Sequence, residues 1–147
     1  QPVSLTEFAA LVAAAVPSSA GGIRVAGDLE RSVQTVAVCG GSGDSLLGAA
    51  NRAGADVFVT ADLKHHRVLD HIEDGGCALI DVAHWASEAL WCDAVADLLR
   101  TRLAAAPGTL TVDVSRLVTD PWRLQLGTGY ADLGDSIDPA ANGGSVQ

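Results

Sequence analysis

The chain has 147 residues, 48% of them hydrophobic, which is enough for a single domain with its own core. It carries 18 acidic and 9 basic residues, and the formal net charge of -9 disfavours a nucleic-acid partner, because affinity for the phosphate backbone comes largely from clustered Lys and Arg. No apolar run approaches the roughly 20 residues that span a bilayer, and the N-terminus lacks the basic start of a signal peptide. We therefore expect a soluble, cytoplasmic protein without a membrane partner.

The three cysteines are odd in number, widely spaced and without a C-x-x-C pair, so neither a disulfide framework nor a zinc ribbon is indicated. We expect all three to be small core residues. The chain begins at Gln1 and contains no Met, which suggests a piece of a longer protein.

Apolar periodicity and turn residues predict alternating strands and helices. Ser4-Leu-Thr-Glu7 has the pattern of a capping box and predicts the start of the first helix. Several short apolar strands show no in-and-out alternation, which indicates that both of their faces are covered. The predicted elements are a helix up to Pro17, a strand at 23–26, a strand at 35–39, a helix at 44–53, a strand at 56–60, a helix at 64–73, a strand at 77–82, a helix at 83–105 and an edge strand at 109–114.

This order predicts an α/β fold in which a mostly parallel, mixed sheet carries helices on both faces. We assign residues 1–122 to this domain. Beyond Trp122 the chain is rich in Gly, Asp and Ser and has no periodicity. Residues 123–147 are therefore expected to form a flexible or loosely attached tail.

Three polar segments follow predicted strands, at residues 40–44, 60–66 and 81–88. Ligands of parallel α/β sheets collect beyond the carboxyl ends of the strands, so these segments are expected to share one edge. The Gly40-Gly-Ser-Gly43 segment fits either a tight turn or a ligand-facing loop, and it lacks the spacing of the established nucleotide motifs. Asp62 to His66 fits either a solvated helix start or part of a polar site. His71, near the other end of that helix, is expected at the surface.

The strongest pattern is Asp81-Val-Ala-His84-Trp-Ala-Ser-Glu88. If a helix opens at Ala83, His84 and Glu88 lie four residues apart on one face and could converge on one metal ion. A surface i,i+4 pair is the simpler alternative. Asp81, at the strand-to-helix turn, could cap free N-H groups or join a polar site. Two ligands do not complete an ordinary zinc, manganese or iron site.

The three segments in this order resemble the Nif-three-like family of dinuclear-metal proteins, whose members are often labelled GTP cyclohydrolase 1 type 2 homologs. The resemblance rests on Val36-Ala-Val-Cys-Gly-Gly-Ser-Gly43, on Ala55 to His66 and on Ala78 to Glu88, and it runs to Trp122. It implies that the chain is the C-terminal half of such a protein. An N-terminal half would supply the other metal ligands.

The resemblance also implies roles for particular residues. His84 and Glu88 match the metal ligands of the family's C-terminal half, while Ser42, Asp62, His66 and Asp81 are expected in the pocket wall or behind the ligands. Ala61 stands where the family usually has Gly. Zinc, manganese or iron would occupy the centre, with two ions per complete site, and this chain alone would hold an incomplete site.

The function implied is part of a dinuclear-metal-dependent hydrolase that acts on a small molecule, with a nucleotide among the candidates, in a homo-oligomer that is a hexamer in the family. The alternative is a non-catalytic metal-binding or regulatory protein-interaction module. Nothing in the residues selects GTP or assigns a catalytic residue.

Overall fold

The computed structural model describes residues 1–104 and 110–127. The described elements are, in chain order, β1 (Val3–Ser4), α1 (Leu5–Ala15), β2 (Ile23–Ala26), β3 (Ser32–Val33), β4 (Val36–Ser42), a 3-10 turn (Asp44–Leu46), α2 (Leu47–Arg52), β5 (Val57–Ala61), α3 (His65–Glu73), β6 (Ala78–Val82) and α4 (His84–Leu103). None of the helices in these ranges is long and apolar enough to cross a membrane.

The main sheet has four strands in the order β2, β6, β5, β4. Strands β4, β5 and β6 are parallel, whereas β2 runs antiparallel to β6. A separate antiparallel pair joins β1 and β3. The predicted α/β fold with a mostly parallel, mixed sheet is therefore confirmed.

The core lies on both faces of the sheet. Ile80 and Val82 of β6 point to the side covered by α1, where Leu5 is fully buried. Leu79 points to the opposite side and packs against a cluster that includes Leu47 of α2. Because alternate residues of a strand face opposite sides, this arrangement explains why β5 and β6 have few polar residues.

Helix α1 begins and ends, and helix α2 ends, where the sequence predicts. The Glu7 N-H donates to the Ser4 hydroxyl (3.2 Å) and the Ser4 N-H donates to the Glu7 carboxylate (3.0 Å), so the capping box is confirmed. Helix α1 stops before Pro17, where Val16 is extended as expected for a residue that precedes proline. Gly54 follows α2 with φ +70°, the left-handed conformation of a helix stop.

Strand register places the three polar segments together. Ser42 is paired with Ala61, and Ala61 is paired with Val82. The residues after β4, β5 and β6 therefore leave the sheet at the same level. This alignment confirms that the segments share one edge.

Two local predictions were wrong. The Gly40-Gly41-Ser42 segment is not a turn but the last part of β4, with an irregular register between Val38 and Ser42. His71 is not at the surface but is 7% exposed, and its Nε2 lies 3.0 Å from the Cys77 carbonyl oxygen. The ring fills the space that Gly76 leaves free, since a Cβ on Gly76 would lie 2.4 Å from His71 Nε2.

The predicted edge strand at 109–114 is also absent over residues 110–114, and Thr109 lies outside the described residues. The segment is held against α4 instead of the sheet. The Arg100 guanidinium donates to the Val112 carbonyl (2.7 Å), and Arg116 forms a two-pronged ion pair with Asp93 of α4. These side-chain contacts take the place of ladder hydrogen bonds.

The predicted tail is described only for residues 123–127, which have neither helix nor strand; residues 128–147 lie outside the described ranges. The cysteines are free, with Cys77 buried and Cys39 and Cys92 half-buried. Burial raises the pKa of the Cys77 thiol.

Candidate metal centre

His84 and Glu88 lie in the first turns of α4, which begins directly after β6. Ala83 precedes the helix in an extended conformation, so His84 is the first helical residue. The His84 Nε2 lies 3.3 Å from the Glu88 Oε1, and the two side chains are 45% and 50% exposed. The predicted convergence of an imidazole and a carboxylate on one face is therefore present.

The other nitrogen of the ring faces Asp62. Asp62 follows β5 and is the non-glycine residue with a positive φ, 59°, in the described chain. Its Oδ2 lies 2.6 Å from His84 Nδ1. The hydrogen bond to Asp62 raises the pKa of His84 above its usual value, and the negative charges of Asp62 and Glu88 raise it as well. Partial desolvation of the ring lowers the pKa but does not cancel these effects.

Gly41 forms the floor beneath His84 and Glu88. It lies in β4 with φ +69° and is buried. A Cβ placed on it would lie 2.7 Å from the Glu88 Oε1 and 3.3 Å from the His84 Nε2. The absence of a side chain at position 41 thus keeps open the space that both candidate ligand atoms face.

Two hydroxyl groups fix this glycine. The Gly41 N-H donates to the Ser87 hydroxyl (2.8 Å), which itself donates to the His84 carbonyl (2.8 Å). On the other side, the buried Thr60 hydroxyl donates to the Gly41 carbonyl (3.0 Å). The end of β4 is in this way tied to both β5 and the first turn of α4.

Asp81 lies behind the site and does not cap α4. Its carboxylate forms an ion pair with Arg24 of β2 and accepts the Leu63 N-H (3.0 Å). The charge of Asp81 is thus balanced within the sheet edge. Its structural effect is to hold the chain immediately after Asp62.

The remaining predicted pocket residues, Ser42 and His66, lie at the surface around the site. Ser42 is exposed at the end of β4, and His66 is exposed in the first turn of α3. The structure therefore brings Asp62 to the candidate ligands, places Asp81 one layer behind, and leaves Ser42 and His66 on the surrounding surface.

A cleft of about 400 Å³ opens beside Asp62. Its polar lining includes Asp62, Asp81 and Arg24, and Trp122 forms part of its wall. Asp62 and Ala83 belong to this lining, whereas His84 and Glu88 do not.

Sequence reasoning missed the roles of Gly41, Ser87, Thr60 and Arg24. The doubled glycine at 40–41 is a signal of close backbone approach, but the sequence alone does not distinguish this from a turn or a loop. The contacts of Ser87 and Thr60 join residues 46 and 19 positions apart, and no local pattern marks them.

The residues present fit one side of a metal centre. An imidazole nitrogen and a carboxylate oxygen are suitable ligands for zinc, manganese and iron, and Gly41 leaves room beside them. Within residues 1–104 and 110–127, no group of three or more His, Cys, Asp or Glu side chains is arranged to hold a metal ion. Further ligands would have to come from elsewhere.

The fold and site define an α/β domain whose clustered polar side chains lie beyond the carboxyl ends of its parallel strands. The chain belongs to the Duf34/NIF3 (NGG1p interacting factor 3) family, whose model matches residues 1–121. It is 49% identical over 124 residues to a GTP cyclohydrolase 1 type 2 homolog of Mycobacterium leprae, an alignment that covers 84% of this chain and 31% of the relative. A protein of the same name from Streptomyces coelicolor is 49% identical over 121 residues, with 82% and 42% covered.

Solved structures give the same assignment. A Bacillus cereus protein related to NIF3 matches with a TM-score of 0.74 and 30% identity over 85% of this chain and 34% of that one. Staphylococcus aureus protein SA1388 matches with a TM-score of 0.74 and 32% identity, over 85% and 39%. The chain spans between about a third and two fifths of the length of these relatives.

Proposed function

We propose that this chain supplies one side of a dinuclear metal centre in a longer, metal-dependent hydrolase, with His84 and Glu88 as its ligands. The observation that carries the proposal is the open space above Gly41, which both the His84 Nε2 and the Glu88 Oε1 face. A merely solvated i,i+4 pair would not need a buried glycine opposite it.

An incomplete ligand set supports a site shared with another part of the parent protein. Catalytic metal sites commonly use at least three protein ligands, and His84 and Glu88 provide two. The matched region makes up 31% and 42% of the two relatives, so a longer parent protein has room for further ligands. We propose that an N-terminal half supplies them. The proposed ions are two divalent cations, either zinc, manganese or iron.

The chemistry that bound metal ions supply is polarisation of a substrate oxygen and a lowered pKa of bound water. In this chain, His84 and Glu88 would hold the ions, and Gly41 would keep side chains out of the reaction space. The cleft beside Asp62 would admit a small-molecule substrate. A nucleotide is a candidate because the relatives are named GTP cyclohydrolase 1 type 2 homologs.

The proposal includes a homo-oligomeric parent protein in the cytoplasm. Trp91 and Leu98 of α4 are 57% and 52% exposed, and apolar exposure of this kind supports burial in an assembly. The free cysteines agree with a reducing compartment. Sedimentation of the parent protein tests the assembly, for which a hexamer is expected.

Metal analysis of the full-length parent protein tests the ligand assignment. His84→Ala and Glu88→Ala should each lose most of the bound metal, whereas His65→Ala and Glu73→Ala, which change exposed residues of α3, should keep it. Unchanged metal content in both site variants would contradict the proposal. Hydrolysis of a panel of nucleotides, pterins and small amides then tests for catalysis.

A non-catalytic metal-binding or interaction module is the second candidate. The family name, NGG1p interacting factor 3, refers to an interaction and favours it. If the two site variants lose their metal and the unchanged parent protein turns over no compound in the panel, the result favours this candidate over the hydrolase.

A further inference from the structure

Asp62 is held in a conformation that directs its carboxylate at His84. A φ of 59° lies in the left-handed region, which is unfavourable for most non-glycine residues, although Asp and Asn tolerate it better than most. The next residue is fixed because the Leu63 N-H donates to Asp81, whose carboxylate is in turn paired with Arg24. The fold therefore maintains this orientation through contacts with two other strands.

The two contacts of the His84 ring are unequal. Nδ1 lies 2.6 Å from the Asp62 Oδ2, whereas Nε2 lies 3.3 Å from the Glu88 Oε1. A neutral imidazole has one N-H donor and one lone pair. The shorter and better contact is the one that the N-H forms, so the lone pair belongs on Nε2, which faces the space above Gly41.

We propose that Asp62 is a positioning residue that keeps the proton of neutral His84 on Nδ1 and leaves Nε2 free to bind a metal ion. The metal part of this inference rests on the proposed function. Histidines that bind metals usually donate their other N-H to a carboxylate or a carbonyl group, which fixes the ring and its tautomer. Without Asp62, Glu88 would be the remaining acceptor beside the ring, and the proton would move to the nitrogen that the metal needs.

Nitrogen NMR of the imidazole tests the tautomer directly, on the metal-free chain with labelled histidine at alkaline pH, where the ring is neutral. His84→Gln assigns the resonance. We expect the proton on Nδ1 in the unchanged chain and a shift of the population towards Nε2 in Asp62→Ala. A proton mainly on Nε2 in the unchanged chain, or no shift in Asp62→Ala, would overturn the inference.

Asp62→Asn separates positioning from folding. Asparagine accepts the same left-handed φ, but its amide group can either accept a hydrogen bond from Nδ1-H or donate one to a bare Nδ1. Because the Glu88 carboxylate can accept from Nε2-H, we expect Asp62→Asn to fold normally and to shift the proton towards Nε2. Retention of the proton on Nδ1 in Asp62→Asn would count against the role of the Asp62 carboxylate. Asp70→Asn removes a charge from an exposed position of α3 and should leave the His84 signals unchanged.

Zinc binding by the full-length parent protein gives a second readout. Asp62→Ala should weaken affinity by about 10- to 100-fold, the usual effect of removing the partner of a ligating histidine, and Asp62→Asn should weaken it less. Equal affinity in Asp62→Ala and the unchanged protein would refute the positioning role. If His84→Ala instead keeps its metal, the proposed function fails while the tautomer result still stands.

Discussion

At the scale of single residues, Gly41 contributes to the site by having no side chain. Its φ of +69° and its position at the irregular end of β4 bring the backbone close to His84 and Glu88. Any larger residue meets two separate costs there. One is the backbone conformation, and the other is collision with the candidate ligand atoms.

We predict that Gly41→Ala lowers the free energy of unfolding by about 1 to 2 kcal/mol, which is the cost of a left-handed conformation for alanine. The same change should weaken metal binding by the parent protein at least about tenfold, the lower end of the effect expected for a disturbance beside a metal ligand. Gly54→Ala is the matched control, since Gly54 has φ +70° with nothing within 4 Å of its added Cβ. It should show a similar loss of stability with normal metal affinity. Urea unfolding and zinc titration measure the two effects, and normal zinc affinity in Gly41→Ala would contradict the prediction.

At the scale of elements, the connection between β3 and β4 is held by the carboxylate of Asp56, the residue just before β5. The Asp56 Oδ2 accepts the backbone N-H groups of Gln34 (2.9 Å) and Thr35 (2.8 Å). The hydrogen bond from Thr35, followed by that from Gln34, lowers the pKa of Asp56 below its usual value. The charged form is therefore favoured by folding.

Asp56→Ala should lower the free energy of unfolding at pH 7 by about 1 kcal/mol, the typical net value of such a bond. Because the folded pKa is lower than the unfolded one, this contribution is present above the unfolded value of about 4 and is lost as pH falls through the folded pKa. Unfolding curves should be measured between about pH 2 and pH 7, a range that covers the protonated and the charged form of the carboxyl group. The free energies of unfolding of the unchanged chain and of Asp56→Ala should converge as the pH falls. Asp113→Ala changes an exposed aspartate and should show no such convergence; a constant gap for Asp56→Ala would refute the argument.

At the scale of the whole molecule, β6 joins the two cores. Leu79 is 1% exposed on the side of α2, and Ile80 is fully buried on the side of α1. Loss of packing on either face therefore weakens the same central strand. The two faces are expected to unfold together.

Leu79→Ala and Ile80→Ala should each cost about 2 to 5 kcal/mol, the range for removing a buried aliphatic side chain. Leu117→Ala is the matched control, because Leu117 is 78% exposed, and its effect should stay within about 0.5 kcal/mol. Fluorescence and circular dichroism should follow one transition in each protein. Separate transitions for the two probes would show that the faces are not coupled.

The site illustrates how far local patterns extend. His84 and Glu88 could be placed on one face from their spacing, since four residues make about one helical turn. Asp62 could be placed only near the same sheet edge, because its carboxylate meets His84 across 22 positions of sequence. The error at 109–114 has a similar origin, since an alternating pattern does not tell whether a strand partner is within reach.

The sequence by itself determined the order of strands and helices, the capping of α1, the helix stop at Gly54 and the His84–Glu88 spacing, because each depends on neighbours within a few residues. The tertiary structure decided which strand ends meet. The pairing of Ser42 with Ala61 and of Ala61 with Val82 brings Gly41, Asp62 and His84 together. Register is a property of the packed sheet, set by burial on both faces, and it is absent from any short stretch of sequence.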